Sequence, residues 1–319
     1  MTAEPVIAAR GLRKYFRARG RELKAVDGID LAIHEGEVLG LVGESGSGKT
    51  TAGMTLLQLH APTGGEIRFA GIGALGNADR RTMRAFRRQA QIVFQNPYEA
   101  LNPRETVETA LREPLVIHFP NDKAAQRTKM LLAMSRAGLS PAETYLQRYP
   151  HQLSGGQLQR VAIARAIALE PRFLVADEPV SMLDVSIRAG ILNLIRRFAS
   201  ELKMAVLYIS HDLSTMRHVC SSIAVMYLGR IVEEGPSERI LDAPLHPYAQ
   251  ALVAAVPIMG GRGTRPRVQL AGAIPDAAHL PSGCRFHPRC PKAFARCRET
   301  EPLLRDVGES RRVACHLYD

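Results

Sequence analysis

The chain has 319 residues, of which 46% are hydrophobic, so it can form one large domain with a smaller appendage. Its apolar runs are too short to cross a bilayer and its N-terminus lacks the pattern of a secretory signal, so we expect a cytosolic protein. The formal net charge of +11 suits a phosphate-bearing ligand, an anionic membrane surface or nucleic acid. Because aromatic residues make up only 5% and no basic stripe is interleaved with them, nucleic acid is not an expected partner.

The first part of the chain is predicted to form short strands between Val6 and Gly40, with turns at Gly28 and Gly36. The apolar run Val38–Val42 predicts a buried strand that ends in a glycine-rich loop. Helical periodicity then predicts a helix from Thr51 to Leu59.

The middle of the chain becomes mostly helical between about residues 97 and 168. Strand-like runs return at Phe173–Ala176 and Ala205–Ile209, with a helix at Ile187–Leu202 between them. Buried apolar strands that alternate with helices are typical of an α/β fold around a largely parallel sheet.

The composition changes after about Gly235, where prolines recur and a glycine-rich linker follows at 260–263. We therefore predict two domains. The first spans residues 1–235 and includes a helical subdomain at about 97–168. The second is a less regular extension at 236–319.

The loop Gly43–Thr50 reads Gly-Glu-Ser-Gly-Ser-Gly-Lys-Thr and matches the phosphate-loop pattern G-x-x-x-x-G-K-S/T. Glycines let backbone N–H groups turn toward phosphate oxygens, and the following helix adds its positive N-terminus. We expect Lys49 to reach the β- and γ-phosphates of a nucleotide and the Thr50 hydroxyl to ligate Mg²⁺. A chance glycine-rich turn is the alternative, but the predicted strand before the loop and helix after it favour a phosphate site. The candidate binding residues are Gly43, Glu44, Ser45, Gly46, Ser47, Gly48, Lys49, Thr50 and Thr51.

An acidic pair, Asp177 and Glu178, ends the buried run that begins at Phe173. The carboxyl end of a parallel strand is where such sheets bind ligands. We expect Asp177 to hold Mg²⁺ through water and Glu178 to polarise an attacking water. Before Pro179 the pair could be a mere charged turn, but the phosphate loop makes the catalytic interpretation the stronger one.

Leu153–Gln157 reads Leu-Ser-Gly-Gly-Gln and is the signature motif of the ABC ATPases. The other motifs of that family follow in order: Gln95 resembles the Q-loop, Ser181–Asp184 the D-loop, and His211 the switch histidine. The resemblance covers nearly the whole chain. It implies an ABC-type nucleotide-binding domain with a P-loop core, an antiparallel β subdomain and a helical subdomain, joined here to a small irregular extension.

The resemblance also implies roles for single residues. Two ATP molecules would lie between two ATPase domains packed head to tail, each held by the phosphate loop of one and the signature motif of the other. Gln95 would sense Mg²⁺ and the attacking water, although it could merely cap a loop. His211 would contact the γ-phosphate, although it could be an ordinary core histidine. The signature residues expected to clamp the γ-phosphate are Ser154, Gly155, Gly156 and Gln157.

The adenine ring is expected to stack on Phe16, with Tyr15 as a possible substitute, although an aromatic residue near the N-terminus is more often part of a core. Two residues depart from the usual family pattern: Met182 in the D-loop and Glu99 after the Q-loop. Neither is expected to touch a catalytic group, and both are candidates for tuning how the domain pairs with a non-identical partner.

The tail resembles the C-terminal extension of the oligopeptide and dipeptide importer ATPases, through His246-Pro247-Tyr248 and the run Gly283–Pro291. The resemblance implies a second ABC ATPase subunit, expected to be non-identical, two transmembrane permease subunits and an extracytoplasmic solute-binding protein. It places the chain at the cytoplasmic face of the cell membrane, bound through the permeases. Nickel and glutathione importers share this subfamily, so the solute stays open.

Four of the five cysteines crowd into this tail, and in a cytosolic chain such a cluster suggests metal rather than disulfides. Four thiolates could hold an iron–sulfur cluster or zinc, as some members of the subfamily do. Against this, tight C-x-x-C pairs are missing, His287 or His316 could substitute, and four ordinary thiols are an equal alternative. Cys220 is expected to be simply packed. The candidate ligands are Cys284, Cys290, Cys297 and Cys315.

Three functions remain in competition. The first is an importer ATPase that uses ATP and Mg²⁺. The second is a soluble ABC ATPase that acts on ribosomes or nucleic acid, which typically carries two ATPase domains or a long coiled-coil insertion, and neither is present. The third is a non-catalytic nucleotide-binding regulator, which the intact set of Lys49, Asp177, Glu178 and His211 disfavours.

Overall fold

The computed structural model describes residues 4–18, 20–256, 275 and 278–319. The predicted glycine-rich linker at 260–263 lies outside these residues. The described chain forms two compact units. The first unit comprises residues 4–7, 33–37 and 69–208, and the second unit comprises the remainder.

The strands of the described chain, in order, are β1 (Ile7–Ala18), β2 (Arg21–Ile33), β3 (Val38–Val42), β4 (Gly64–Phe69), β5 (Gly73–Ala74), β6 (Ala90–Val93), β7 (Phe173–Asp177), β8 (Ala205–Ser210), β9 (Ser222–Tyr227), β10 (Arg230–Pro236), β11 (Arg305–Asp306) and β12 (Arg312–Val313). The α-helices are α1 (Lys49–Leu56), α2 (Arg80–Gln89), α3 (Val107–His118), α4 (Lys123–Arg136), α5 (Glu143–Leu146), α6 (Gly155–Ile167), α7 (Val185–Leu202), α8 (Leu213–Val219), α9 (Ser237–Asp242), α10 (Pro247–Ala254) and α11 (Ala295–Glu299). No helix in this described part is both long and apolar enough to span a bilayer.

In the first unit, β6 and β7 pair in parallel, with Ala90 opposite Phe173 and Val93 opposite Ala176. Every residue of β7 is buried, as its continuous apolar run predicts. Helices α3, α4 and α6 pack against one another, and α6 also packs against β6.

In the second unit, β3 pairs in parallel with β9, from Leu39 opposite Ser222 to Val42 opposite Val225. A tight turn connects β9 to β10, which run antiparallel. The end of the chain returns to this sheet, because β12 pairs antiparallel with β10 and β11 with β12. The tail therefore shares backbone hydrogen bonds with the strand that precedes it.

Some element boundaries differ from the sequence-based expectation. Gly28 was predicted in a turn but lies inside the long strand β2, where its φ of 78° is a conformation that residues with a side chain rarely adopt. Gly36 does lie in the turn between β2 and β3, also with positive φ. The helix predicted at Thr51–Leu59 begins earlier, at Lys49, and ends at Leu56 because Gln58 adopts a left-handed φ of 56°.

Candidate functional site

The loop between β3 and α1 contains two glycines, Gly43 and Gly48, whose surroundings leave no room for a side chain. A Cβ atom added to Gly43 would lie 2.2 Å from the carbonyl oxygen of Met226. At Gly48, which caps α1 with a φ of 103°, an added Cβ atom would lie 2.0 Å from the carbonyl oxygen of Ala25. The backbone of the loop can therefore turn as a phosphate-binding loop must, and the first turn of α1 follows directly from it.

Lys49 lies inside this loop and is buried, with 6% of its surface exposed. Its Nζ donates hydrogen bonds to the carbonyl oxygens of Gly43 at 2.8 Å and of Glu44 at 2.9 Å. A buried ammonium group needs such partners, because burying it without them is costly. The loop thus holds the Lys49 charge at its centre, whereas Thr50 next to it is exposed.

The two candidates for adenine stacking differ in what they contact. The Tyr15 hydroxyl donates a hydrogen bond to the Asp27 carboxylate. Burial and this hydrogen bond raise the pKa of Tyr15 to about 12. The half-buried Phe16 ring meets the His60 ring edge-on, with 5.5 Å between centroids. The hydroxyl of Tyr15 thus has a partner inside the protein, and the predicted adenine role of Phe16 stays a prediction.

The acidic pair lies in the first unit. Asp177 ends β7 and is buried, and Glu178 follows it with a left-handed φ of 45°. Gln95 Nε2 donates a hydrogen bond to Glu178 Oε2 at 3.2 Å. Ser181 holds the backbone of the same residue, because its N–H and its hydroxyl both donate to the Glu178 carbonyl oxygen. Two predicted site residues, Gln95 and Glu178, are therefore in direct contact.

The signature motif begins α6, and Ser154 is the N-cap residue. Its hydroxyl accepts from the Gln157 N–H at 3.3 Å, and its own N–H donates to Gln157 Oε1 at 3.0 Å. This reciprocal capping box satisfies two backbone donors of the helix start. Ser154 and Gly155 are exposed, so the capped end of α6 is open to a partner.

The predicted site residues divide between the two units. Gln95, the signature motif and the acidic pair belong to the first unit, whereas Phe16, the phosphate loop and His211 belong to the second. His211 directly follows β8 and is exposed. After it, the Asp212 carboxylate caps α8 by accepting from the Ser214 N–H.

Comparison with known proteins identifies the family. The chain is 42% identical over 324 residues to the oligopeptide transport ATP-binding protein AppF of Bacillus subtilis, which covers 99% of this chain and 98% of that protein. It is 44% identical over 321 residues to the dipeptide transport ATP-binding protein DppF of Haemophilus influenzae, which covers 99% and 97%. Residues 26–181 match the family model described as ABC transporter. This chain belongs to the ABC transporter family.

Two further comparisons agree with this assignment. Residues 232–297 of the ABC transporter chain match the model described as oligopeptide/dipeptide transporter, C-terminal region. The structure resembles that of the ATP-binding cassette MJ0796, a dimer in a post-hydrolysis state bound to ADP and phosphate. The TM-score is 0.64 at 29% identity, and the match covers 72% of this chain and 98% of the cassette. The predicted family and the predicted α/β fold are confirmed.

The four tail cysteines of this ABC transporter ATPase all belong to the second unit, and Cys284 N–H donates to the Cys297 carbonyl oxygen at 2.8 Å. Burial raises the pKa of Cys284 to about 11, and the other three thiols add to the rise. Across residues 4–18, 20–256, 275 and 278–319, no three His, Cys, Asp or Glu side chains are placed to hold a metal ion. The predicted iron–sulfur or zinc site is therefore unsupported.

The two histidines considered as substitute ligands contact other groups. His287 Nδ1 lies 3.0 Å from the Cys284 carbonyl oxygen. His316 contacts Asp319 Oδ2 at 2.7 Å and the Thr300 carbonyl oxygen at 2.8 Å. Cys220 is buried at the end of α8, as expected for a packed thiol.

Sequence reasoning missed two arginines of the tail that reach the candidate site of this ABC ATPase. Arg289 forms an ion pair with Glu44 of the phosphate loop. Arg285 forms one with Asp27, which also accepts the Tyr15 hydroxyl. The partners are 245 and 258 residues apart in the chain. Their only sequence signal is their position in the tail motif between Cys284 and Cys290, and that motif does not specify a carboxylate partner.

Proposed function

We propose that this chain is the ATP-hydrolysing subunit of an importer that takes up peptides or a related small solute through separate membrane subunits. The observation that carries the proposal is the likeness to AppF and DppF over nearly the full length, tail included. An ABC ATPase that acts on ribosomes or nucleic acid has no comparable support in the tail.

ATP binds with its phosphates in the loop Gly43–Thr51, where the fixed glycine turns direct N–H groups toward phosphate oxygens. The Lys49 ammonium, held at the centre of the loop, interacts with the β- and γ-phosphates. Phe16 stacks on the adenine ring. His211, exposed after β8, contacts the γ-phosphate.

The Mg²⁺ ligands proposed are the Thr50 hydroxyl, the Gln95 amide oxygen and, through water, the Asp177 carboxylate. These oxygen groups are the donor types that Mg²⁺ prefers, so the residues present fit the ion. When bound, the ion offsets the negative charge of the β- and γ-phosphates. Iron–sulfur and zinc are not part of the proposed function, because the described residues of the tail include no group of three metal-ligating side chains placed to hold an ion.

Glu178 is the group that orients and polarises the attacking water, and Gln95 positions it. The hydrogen bond of 3.2 Å from Gln95 Nε2 to Glu178 Oε2 supports this pairing. The Ser181 bonds to the Glu178 carbonyl oxygen fix the backbone from the other side. With its carboxylate held in one place, Glu178 can accept a proton from the water that attacks the γ-phosphorus, while the bond to the bridging oxygen breaks and ADP leaves.

The signature motif serves the ATP of a second, non-identical ATPase subunit. The exposed start of α6, with its capping box formed, offers N–H groups and the Ser154 hydroxyl to a γ-phosphate. Met182 in the D-loop and Val185 directly after it are also exposed, at 64% and 75%. Exposed apolar groups of this kind favour burial against a partner, and Met182 and Glu99 tune the choice of that partner.

The full machine contains two transmembrane permeases and an extracytoplasmic solute-binding protein. This chain acts at the cytoplasmic face of the cell membrane, held there by the permeases. Its organisation is a nucleotide-binding domain over residues 1–235, with a helical subdomain at about 97–168, and an extension over 236–319. The helices between Val107 and Ile167 support the helical subdomain.

Co-purification tests the proposal. The tagged chain is extracted gently from membranes, and the proteins and metals that accompany it are identified. Recovery of two membrane subunits, a related ATPase and a solute-binding protein is expected, and the solute retained by that binding protein identifies the cargo. Recovery of ribosomes or nucleic acid without a membrane partner would overturn the importer function and leave the ATPase.

A further inference from the structure

We propose that the C-terminal extension positions the phosphate loop for nucleotide binding, with Arg289 and Tyr248 acting on Glu44. The inference rests on the proposed role of the loop Gly43–Thr51 and goes beyond it, because it assigns a part of the ATP site to the tail. Arg289 and Tyr248 are positioning residues: they act on the loop and not on ATP.

Arg289 and Glu44 form a bidentate ion pair. Arg289 Nη1 donates to Glu44 Oε2 at 2.6 Å, and Nη2 donates to Oε1 at 3.0 Å. The Arg289 side chain is 7% exposed and that of Glu44 is 23% exposed. Parallel hydrogen bonds between a guanidinium and a carboxylate are strong and fix both groups in orientation, and their burial limits screening by solvent.

Tyr248 holds the backbone of the same loop residue. The Glu44 N–H donates to the Tyr248 hydroxyl oxygen at 2.8 Å. Tyr248 is the third residue of the His-Pro-Tyr motif and lies in the first turn of α10. The main chain of Glu44 is therefore held by Tyr248 of α10, and its side chain is held by Arg289, which lies between Cys284 and Cys290.

A rigid aromatic cluster supports both contacts. Tyr227, Tyr248 and Phe286 are almost wholly buried, and their ring centroids lie 4.7 to 5.3 Å apart. The Arg289 guanidinium lies 5.9 Å from the Tyr227 ring. Close-packed rings have little freedom to move. The Tyr248 hydroxyl and the Arg289 guanidinium, which contact Glu44, are therefore held in position by this cluster.

The consequence for the loop follows from Glu44 and Lys49. The Glu44 carbonyl oxygen accepts a hydrogen bond from Lys49 Nζ, so the residue held by the extension also holds the lysine that we assign to the phosphates. Arg289 also neutralises the Glu44 carboxylate, which would otherwise repel an anionic triphosphate. Without Arg289 the loop samples other conformations, and the apparent affinity for nucleotide falls with the population of the competent one.

The test measures binding of a fluorescent ATP analogue to the full chain, together with its melting temperature. Arg289→Lys keeps the positive charge but loses the two parallel hydrogen bonds that the guanidinium donates to Glu44. Tyr248→Phe keeps the aromatic ring but loses the hydroxyl that accepts the Glu44 N–H. We expect the dissociation constant to rise about tenfold for Arg289→Lys, if the competent population falls to about a tenth. A smaller rise in the same direction is expected for Tyr248→Phe.

Arg311→Lys is the matched control. Arg311 is a second buried arginine of the extension, and it donates to Glu233 Oε1 at 2.9 Å and to the Ala243 carbonyl oxygen. This variant should lower the melting temperature without changing the dissociation constant. A merely structural role for Arg289 would give the same result as Arg311→Lys.

Energetic coupling between Glu44 and Arg289 provides a second readout. In a Glu44→Gln background, Arg289→Lys should have little further effect on nucleotide affinity, because its partner is already removed.

Lys49→Ala should abolish binding. Unchanged affinity in both Arg289→Lys and Tyr248→Phe, with binding lost in Lys49→Ala, would overturn the inference and leave the proposed loop function intact. Normal binding by Lys49→Ala would overturn the loop function itself. If Arg289→Lys does not fold, Tyr248→Phe decides the question.

Discussion

Gln95 and Glu178, 83 residues apart in the chain, are joined by a hydrogen bond of 3.2 Å between Nε2 and Oε2. The bond links the residue that follows β6 to the residue that follows β7, and these two strands are parallel neighbours. The Gln95 amide is thereby connected to the carboxylate that we assign to water activation. The relationship gives two separable predictions, one for each partner.

Glu178→Gln should lower the rate of phosphate release at least about a hundredfold, because the amide cannot accept a proton from the attacking water. Binding of ATP should persist, since the shape of the side chain is kept. Phosphate release and nucleotide affinity, measured on the assembled transporter, separate the two effects. Glu143→Gln, at an exposed position on α5, is the matched control and should leave both unchanged. Full turnover in Glu178→Gln would refute the assignment.

Gln95→Ala should lower the turnover number by roughly ten- to a hundredfold while changing nucleotide affinity less, because it removes a positioning contact. Steady-state kinetics that separate kcat from KM provide the measurement. An equal loss in affinity and turnover would instead mean that Gln95 acts mainly in binding.

Gly48→Ala should weaken nucleotide binding by more than about tenfold. The new Cβ would meet the Ala25 carbonyl oxygen at 2.0 Å, and a left-handed alanine costs roughly 1–2 kcal/mol. The start of α1 must then shift. Gly73→Ala is the control, since Gly73 also has positive φ but no atom within 4 Å of an added Cβ. Comparable binding by both variants, measured with the fluorescent analogue, would show that the close approach at Gly48 is unimportant.

His246 should make stability depend on pH in the acidic range. Burial lowers the pKa of His246 to about 3, below the value of about 6.5 in an unfolded chain. Between these values the unfolded chain binds more protons, so stability is complete above pH 6.5 and is lost as the pH falls toward 3. The free energy of unfolding should fall by about 2 kcal/mol between pH 7 and pH 5 from this group alone.

Replacing the histidine tests this dependence. His246 Nδ1 accepts the Tyr248 N–H as the cap of α10, and asparagine can also cap a helix, so His246→Asn removes mainly the titration. Denaturant unfolding at pH 7 and pH 5 should show a smaller difference for His246→Asn than for the parent chain. His151→Asn, at an exposed position, should keep the parental difference.

The sequence predicted the parts of this molecule that are coded locally. A phosphate loop needs a strand, glycines and a helix within a short stretch, and Gly43–Thr50 has them all. The predicted end of α1 was less accurate, because Gln58 adopts a left-handed conformation that is uncommon for glutamine and is not indicated by the local sequence. Gly28 was placed in a turn because glycine is common there, and its φ of 78° occurs instead inside the strand β2.

Contacts between distant segments could not be predicted. The Arg289–Glu44 pair depends on how the tail folds back, and nothing in either local sequence specifies it. The metal site suggested by the four tail cysteines has no support in the described residues, because closeness along the chain does not by itself orient thiols around an ion. The motif residues themselves are present as expected, and their roles remain predictions.

The pairing of β12 with β10 has a practical consequence for dissecting the protein. A chain shortened at residue 235 would lose the partner of Glu233 and Glu234 along one side of β10, and the backbone groups there would be left open to other chains. It would also remove the Arg311 guanidinium and the N–H groups of Leu245 and His246, which are the hydrogen-bond donors to the Glu233 carboxylate. The tail is thus a structural component of the sheet, and a cassette prepared without it should aggregate.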